Sequence, residues 1–185
     1  MGVPKAKLRI GDRPILQYLL ERFQWPGPTL LVTAPGLEQP AGAEGFDREV
    51  TDAVSGEGPL RGVLTALQQV RGTIVIFTTV DMPGLSRVQL EWMVEQLSAR
   101  PAVIGLMGTR VVSGQEQIEP FPFASRVGAA EVIGGRLQQG RRSVQSLTEL
   151  EAFAVCSTPA NWPESAWANL NFPADFESFL TRAER

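Results

Sequence analysis

An α/β fold built on a mostly parallel sheet is predicted by three observations. Short apolar runs rich in β-branched residues alternate with helical patterns, Gly or Pro bounds the runs, and the runs are apolar at consecutive positions rather than at every second one. The first helix opens at Pro14 and places Ile15, Leu16, Leu19, Leu20 and Phe23 on one stripe, with Pro14 suited to a first turn. Thr29-Leu30-Leu31-Val32-Thr33 reads as a buried strand, and the Gly/Pro-rich stretch 34–45 as a loop. A helix opens at Gly58-Pro59-Leu60-Arg61-Gly62 and runs through Leu64, Leu67 and Val70 into the strand Thr73-Ile74-Val75-Ile76-Phe77. Ser86 is the expected N-cap of a helix carrying Leu90, Met93, Val94 and Leu97. Ala102-Val103-Ile104-Gly105-Leu106 is a third strand, 105–123 a loop, and Phe153 to Cys156 a fourth strand; Pro173 precedes a terminal helix over 175–180. No linker or repeat divides the 185 residues, so 1–185 is read as one domain.

Composition narrows the chemistry. With 43% hydrophobic and 20% charged residues the chain is an ordinary globular one. A net charge of −3 argues against a nucleic-acid surface, though it leaves room for a small basic pocket. The absence of histidine excludes Ser-His triads, histidine general bases and His-Glu-x-x-His zinc sites. The single cysteine, Cys156, excludes an internal disulfide, fits a reducing cytoplasm and reads as a core residue in an apolar run. No apolar run reaches the roughly 18 residues of a membrane span. Met1-Gly2-Val3-Pro4-Lys5 lacks the apolar segment of a secretory signal, and Ala6 stands where a myristoylation signal carries Ser or Thr.

In open α/β sheets ligands bind beyond the carboxyl ends of the strands, which says where to look for chemistry. Asp81, in Thr78-Thr79-Val80-Asp81-Met82-Pro83, follows the strongest strand; it is read either as a ligand for Mg²⁺ or as the cap of an Asx-type turn. Gly58, Pro59, Leu60 and Gly62 form a helix start that brings backbone N–H groups and the positive helix end toward an anion, or simply begin a helix. Asp52, after Val50-Thr51, is placed to accept hydrogen bonds from a base or ribose. Lys5 is a solvated lysine or a neutraliser of phosphate charge. Asn169 and Asn171 alternate so that both amides face one side, for a polar ligand or for capping the terminal helix.

Taken in order, Met-Gly-x-x-Lys, Gly-Pro-Leu-x-Gly, Asp-x-Pro, Gly140-Arg141-Arg142-Ser143-Val144 and Asn-x-Asn-x-Pro resemble the molybdenum cofactor guanylyltransferase family over nearly the whole chain. Glu119-Pro120-Phe121-Pro122 is similar to the segment before that family's late helix, which ends in the glycine-arginine motif. The resemblance implies a three-layer Rossmann-like sheet of the nucleotide-diphospho-sugar transferase type. It also implies transfer of GMP from GTP to molybdopterin, with Mg²⁺ and release of pyrophosphate. By position, Lys5 and Asp81 would be catalytic, with Lys5 on the phosphates and Asp81 on the metal. Asp52, Gly58, Pro59, Leu60 and Gly62 would line the nucleotide, and Asn169 and Asn171 the pterin side. Molybdoenzyme maturation proteins are the implied partners; no nucleic acid or membrane is.

Two departures carry further expectations. The family begins with an apolar strand and a glycine-rich loop ahead of the Met-Gly pair, whereas this sequence starts at that Met, so the sheet is expected to lack its first, central strand. Thr33 stands where some relatives carry Asn, which bears on one nucleotide contact. The alternatives are a molybdopterin cytidylyltransferase, another nucleotidyltransferase of this fold, or a truncated homologue that binds without catalysis.

Overall fold

The computed structural model describes residues 5–183. After a 3-10 turn at Lys5–Lys7, a small hairpin of β1 (Arg9–Ile10) and β2 (Arg13–Pro14) leads into α1 (Ile15–Phe23). There follow β3 (Leu30–Thr33), β4 (Arg48–Thr51), α2 (Pro59–Gln69), β5 (Ile74–Phe77) and α3 (Arg87–Ser98). The second half holds β6 (Gly105–Val112), β7 (Gln115–Arg126), α4 (Ala130–Gln138), β8 (Phe153–Ser157) and α5 (Pro173–Ala183).

The strands form two separate ladders besides the β1–β2 hairpin. β3 and β4 pair in parallel, while β5, β7, β6 and β8 form a four-stranded sheet in that order. Within it β7 runs antiparallel to both β5 and β6, and β8 runs parallel to β6. Three of the four strands therefore share one direction and β7 alone is reversed, which makes a mixed but mostly parallel sheet. Among the described residues no strand joins β3 to β5, although helices cover both. Met1 to Pro4 lie outside the described residues.

Side-chain alternation along β5 sorts the layers. Val75 and Phe77 face the cluster built by Leu60, Val63, Leu64 and Leu67 of α2 with Ile133 of α4. Ile74 and Ile76 face Met93 and Leu97 of α3. Phe123 of β7 is fully buried and stacks on Phe77 and Phe153, with ring centroids 5.7 and 6.4 Å away. On the other side of β3, α1 packs Ile15, Leu16 and Leu19 around Leu31, joined by Phe176, Phe179 and Leu180 of α5.

The expected strands at 29–33, 73–77 and 153–156 stand within a residue of their places, and Ser86 caps α3 in a capping box with Gln89. Four readings need correction, one being the terminal helix, which begins at Pro173 itself and runs to Ala183. Pro14 is the residue before α1, paired with Arg9 in β1–β2, and does not lie in the first turn. The third strand begins at Gly105, not at 102. The stretch 105–123 is no loop; it is most of the β6–β7 hairpin, the longest ladder of the protein. Ser113 and Gly114, at φ 52° and 80°, supply the two positive-φ positions of a tight hairpin turn. Pro120 and Pro122, which cannot donate to a ladder, fall where the register jumps from Met107↔Phe123 to Gly108↔Glu119. The proline signal is thus absorbed by an irregularity inside a central strand.

Candidate active site

Strand β5 hands the chain to the segment Thr78–Asp81, and Asp81 stands at the centre of a small polar network. Its Oδ2 accepts from Lys5 Nζ at 2.6 Å and its Oδ1 from the Thr79 hydroxyl at 2.5 Å. Lys5 Nζ also donates to Asn171 Oδ1 at 2.8 Å, so residues 76 and 166 positions from Lys5 meet on one ammonium. The Lys5 and Asp81 side chains are 30% and 19% exposed, a half-dry setting in which the pair is less screened than on open surface.

Several backbone contacts hold this network in place. Leu170 N–H donates to the Asp81 carbonyl at 2.9 Å, seating the 169–171 segment against the β5 end. The Asp175 carboxylate, in the first turn of α5, accepts from the Asn171 and Phe172 N–H groups at 3.0 and 2.7 Å and ties the helix start to the segment before it. That leaves the Asn171 amide free to take Lys5. Asn169 is exposed and is not drawn into the network, so only one of the two amides reaches it. Downstream, Arg22 of α1 donates to the Leu85 and Gly84 carbonyls at 2.7 and 3.0 Å. A Cβ on Gly84 would collide with the Ser165 carbonyl, so only glycine lets the Asp81 loop lie this close to the turn Glu164–Trp167.

The second group of expected residues gathers at the start of α2. Asp52 follows β4 and extends the β3–β4 ladder through its N–H to the Thr33 carbonyl at 2.8 Å. Its Oδ1 is buried and has no hydrogen-bond partner among the described residues, while Oδ2 lies 3.8 Å from where a Gly62 Cβ would stand. Gly58 has φ 74°, and a Cβ there would come within 3.0 Å of the Arg142 carbonyl. Pro59 occupies the first helical turn, as expected. The anion-cradle reading of this turn needs qualification: Leu60 N–H donates to the Arg142 carbonyl and Arg61 N–H to the Gly58 carbonyl, each at 3.2 Å. Those two first-turn donors are spent inside the protein.

Thr33, at the end of β3, shares a hydroxyl contact of 3.3 Å with Thr51. Thr79 and Arg22 escaped sequence reasoning. Thr79 carried a signal, a hydroxyl two residues ahead of the carboxylate; Arg22 carried none, because its partners are backbone carbonyls 62 and 63 positions away. Arg142 belonged to a motif read without a role, and its carbonyl forms the wall behind Gly58. Cys156 is half-buried in the α3-side core, and burial raises its pKa, which keeps it a thiol.

Comparison with known proteins gives the family. Residues 1–153 match the MobA-like NTP transferase domain. The chain belongs to that family. It is accordingly a nucleotidyltransferase. The molybdenum cofactor guanylyltransferase of Cereibacter sphaeroides is 27% identical over 186 residues, spanning 99% of this chain and 88% of that protein. The probable molybdenum cofactor guanylyltransferase of Bacillus licheniformis is also 27% identical, spanning 95% of this chain and 88% of its own. Among solved structures, molybdopterin-guanine dinucleotide biosynthesis protein A from Archaeoglobus fulgidus superposes with a TM-score of 0.75 at 19% identity, covering 99% of this chain and 92% of that one. The 2-C-methyl-D-erythritol 4-phosphate cytidylyltransferase of Thermus thermophilus reaches 0.76 at 19% identity, covering 98% and 95%. These two likenesses establish the fold that the family shares with other nucleotidyltransferases.

Proposed function

We propose that this nucleotidyltransferase moves GMP from GTP onto the terminal phosphate of molybdopterin, releasing pyrophosphate, with Lys5, Asp81 and Asn171 at the transfer centre. The convergence of those three residues beyond the carboxyl end of β5 carries the reading. An anionic phosphate oxygen of the acceptor attacks the α-phosphorus of GTP, the bond to the β-phosphate breaks, and the electron pair leaves with pyrophosphate. The nucleophile is already charged, so no strong general base is needed, which suits a chain without histidine. Catalysis is then positioning and charge neutralisation, and Lys5 supplies a cation for the phosphate oxygens.

Asp81 fits the role of a Mg²⁺ ligand. No group of three His, Cys, Asp or Glu side chains gathers among the described residues, and Mg²⁺ is held characteristically by one or two carboxylates with phosphates and water completing its shell. When bound, the ion would neutralise triphosphate charge.

Asp52 supports guanine as the base. An unpartnered buried carboxylate oxygen costs about 1–3 kcal/mol, and a ligand edge bearing N–H donors would satisfy it. Guanine presents two adjacent N–H donors to a carboxylate, whereas cytosine and adenine each set an acceptor beside their amino group. Asn169, at the exposed rim of the segment that delivers Asn171, lies on the acceptor side in this reading. Competition among GTP, CTP and ATP in a transfer assay with molybdopterin and Mg²⁺ tests the assignment. Preferential incorporation of GMP is expected; preferential incorporation of CMP would replace it with a cytidylyltransferase.

A further inference from the structure

We propose that Lys5 is the built-in counter-cation of Asp81, filling the place of a divalent ion in the resting protein, so that the metal enters with a nucleoside triphosphate and not alone. The inference rests on the reading of Asp81 as the metal ligand and adds an order of events to it. Asp81 brings one negative charge, and both of its oxygens are engaged: Oδ2 by the Lys5 ammonium at 2.6 Å, Oδ1 by the Thr79 hydroxyl at 2.5 Å. No group of three or more His, Cys, Asp or Glu side chains gathers around it among the described residues. A free divalent cation approaching Asp81 therefore meets a carboxylate already neutralised and an ammonium at close range that repels it. The partial burial of both side chains removes much of the water that would screen this repulsion.

A triphosphate reverses the balance. It is polyanionic, it competes with Asp81 for the ammonium, and its oxygens supply the ligands that Asp81 alone cannot. Lysine is suited to this exchange, because its ammonium is a compact charge on a flexible four-carbon stem. Asn171 gives the movement its pivot. Its Oδ1 holds Lys5 Nζ at 2.8 Å through a neutral acceptor, and its own backbone is fixed by Asp175. The ammonium can leave Asp81 without losing every partner at once. Asn171 is in this respect a positioning residue for Lys5.

The test is a titration of Mn²⁺, read by calorimetry and by its paramagnetic signal, on the wild type, Lys5→Met and Lys5→Gln, with and without GTP. Circular dichroism confirms the fold of each variant. Without nucleotide, removal of the ammonium is expected to tighten Mn²⁺ binding at least tenfold, and the gain should vanish when Asp81→Asn is added. With GTP, the wild type should bind Mn²⁺ at least tenfold more tightly than without it. Wild type and both Lys5 variants binding Mn²⁺ alone with equal, Asp81-dependent affinity would overturn the counter-cation role while leaving Asp81 as the metal ligand. Failure of every form to bind Mn²⁺, with GTP or without, would instead remove Asp81 from the metal site and this inference with it.

Discussion

At the scale of single residues, the positions that sequence could nominate are those whose chemistry is local. The places of Asp81 after an apolar strand and of Gly58 before a helix were legible because strand ends and helix starts leave local marks in the sequence. Which oxygen meets which nitrogen was not, since Lys5, Asp81 and Asn171 converge only when segments 76 to 166 positions apart are folded together. Asn169 likewise could not be separated from Asn171 by pattern alone, whereas Thr79, whose hydroxyl donates to the Asp81 carboxylate, stands only two residues from it. Gly58 offers a clean stability test. Its φ of 74° disfavours any Cβ, and the Arg142 carbonyl leaves only 3.0 Å for one. Gly58→Ala is expected to lose roughly 1–3 kcal/mol of stability in urea unfolding, from backbone strain and from the displaced Arg142 wall. An unchanged midpoint would mean that the turn relaxes freely and does not fix the start of α2.

At the scale of elements, strands apolar at consecutive positions announced themselves and half-solvated ones did not. β4 reads Arg48-Glu49-Val50-Thr51, mostly exposed, and gives no periodic signal because it lies on the edge of the β3–β4 ladder. The β6–β7 hairpin was hidden by Gly and Pro, residues that usually punctuate structure but here form a tight turn and a register shift. Helix α3, by contrast, was set by a local signal. Gln89 Oε1 accepts from the Ser86 N–H at 2.9 Å and the Ser86 hydroxyl at 2.6 Å. Ser86→Ala should cost about 1 kcal/mol, measurable by thermal unfolding, with no change in the far-ultraviolet signature of the fold. The entry to β3 is held by Asp47, whose carboxylate accepts from the Thr29 N–H and hydroxyl at 2.7 and 2.8 Å. Those bonds hold its pKa below the ordinary carboxylate value, the backbone N–H of Thr29 being the larger cause. A depressed folded-state pKa contributes stability that is present above the unfolded value, near 3.9, and is lost as pH falls through the lowered folded value. Asp47→Asn should therefore lower the melting temperature at pH 7, and the gap to wild type should close below about pH 4. A gap independent of pH would point to packing and not to charge.

At the scale of the whole molecule, the α/β class and the order of most elements followed from alternating patterns, and the mostly parallel sense of the strands holds with β7 as the reversed member. Among the described residues the β3–β4 pair stands apart from the four-stranded sheet. Among the described residues β3 is paired along one edge, with β4, and β5 along one edge, with β7, whereas β6 is paired along both. Amide hydrogen exchange should consequently be faster at the outward edges of β3 and β5 than in β6, and equal protection would show those edges to be covered. Helices on both faces still carry the two sheets as one body: α2 packs on β3, on β4 and on α4, and α1 packs on α3. That arrangement holds Asp81 and Asp52 beyond the ends of β5 and β4. The most direct measurement is pyrophosphate release from GTP in the presence of molybdopterin and Mg²⁺, wild type against Asp81→Asn, with circular dichroism on both. A transfer centre at Asp81 requires acceptor-dependent release by the wild type and a fall of at least a hundredfold in the folded variant. Undiminished release by a folded Asp81→Asn protein would place the chemistry elsewhere.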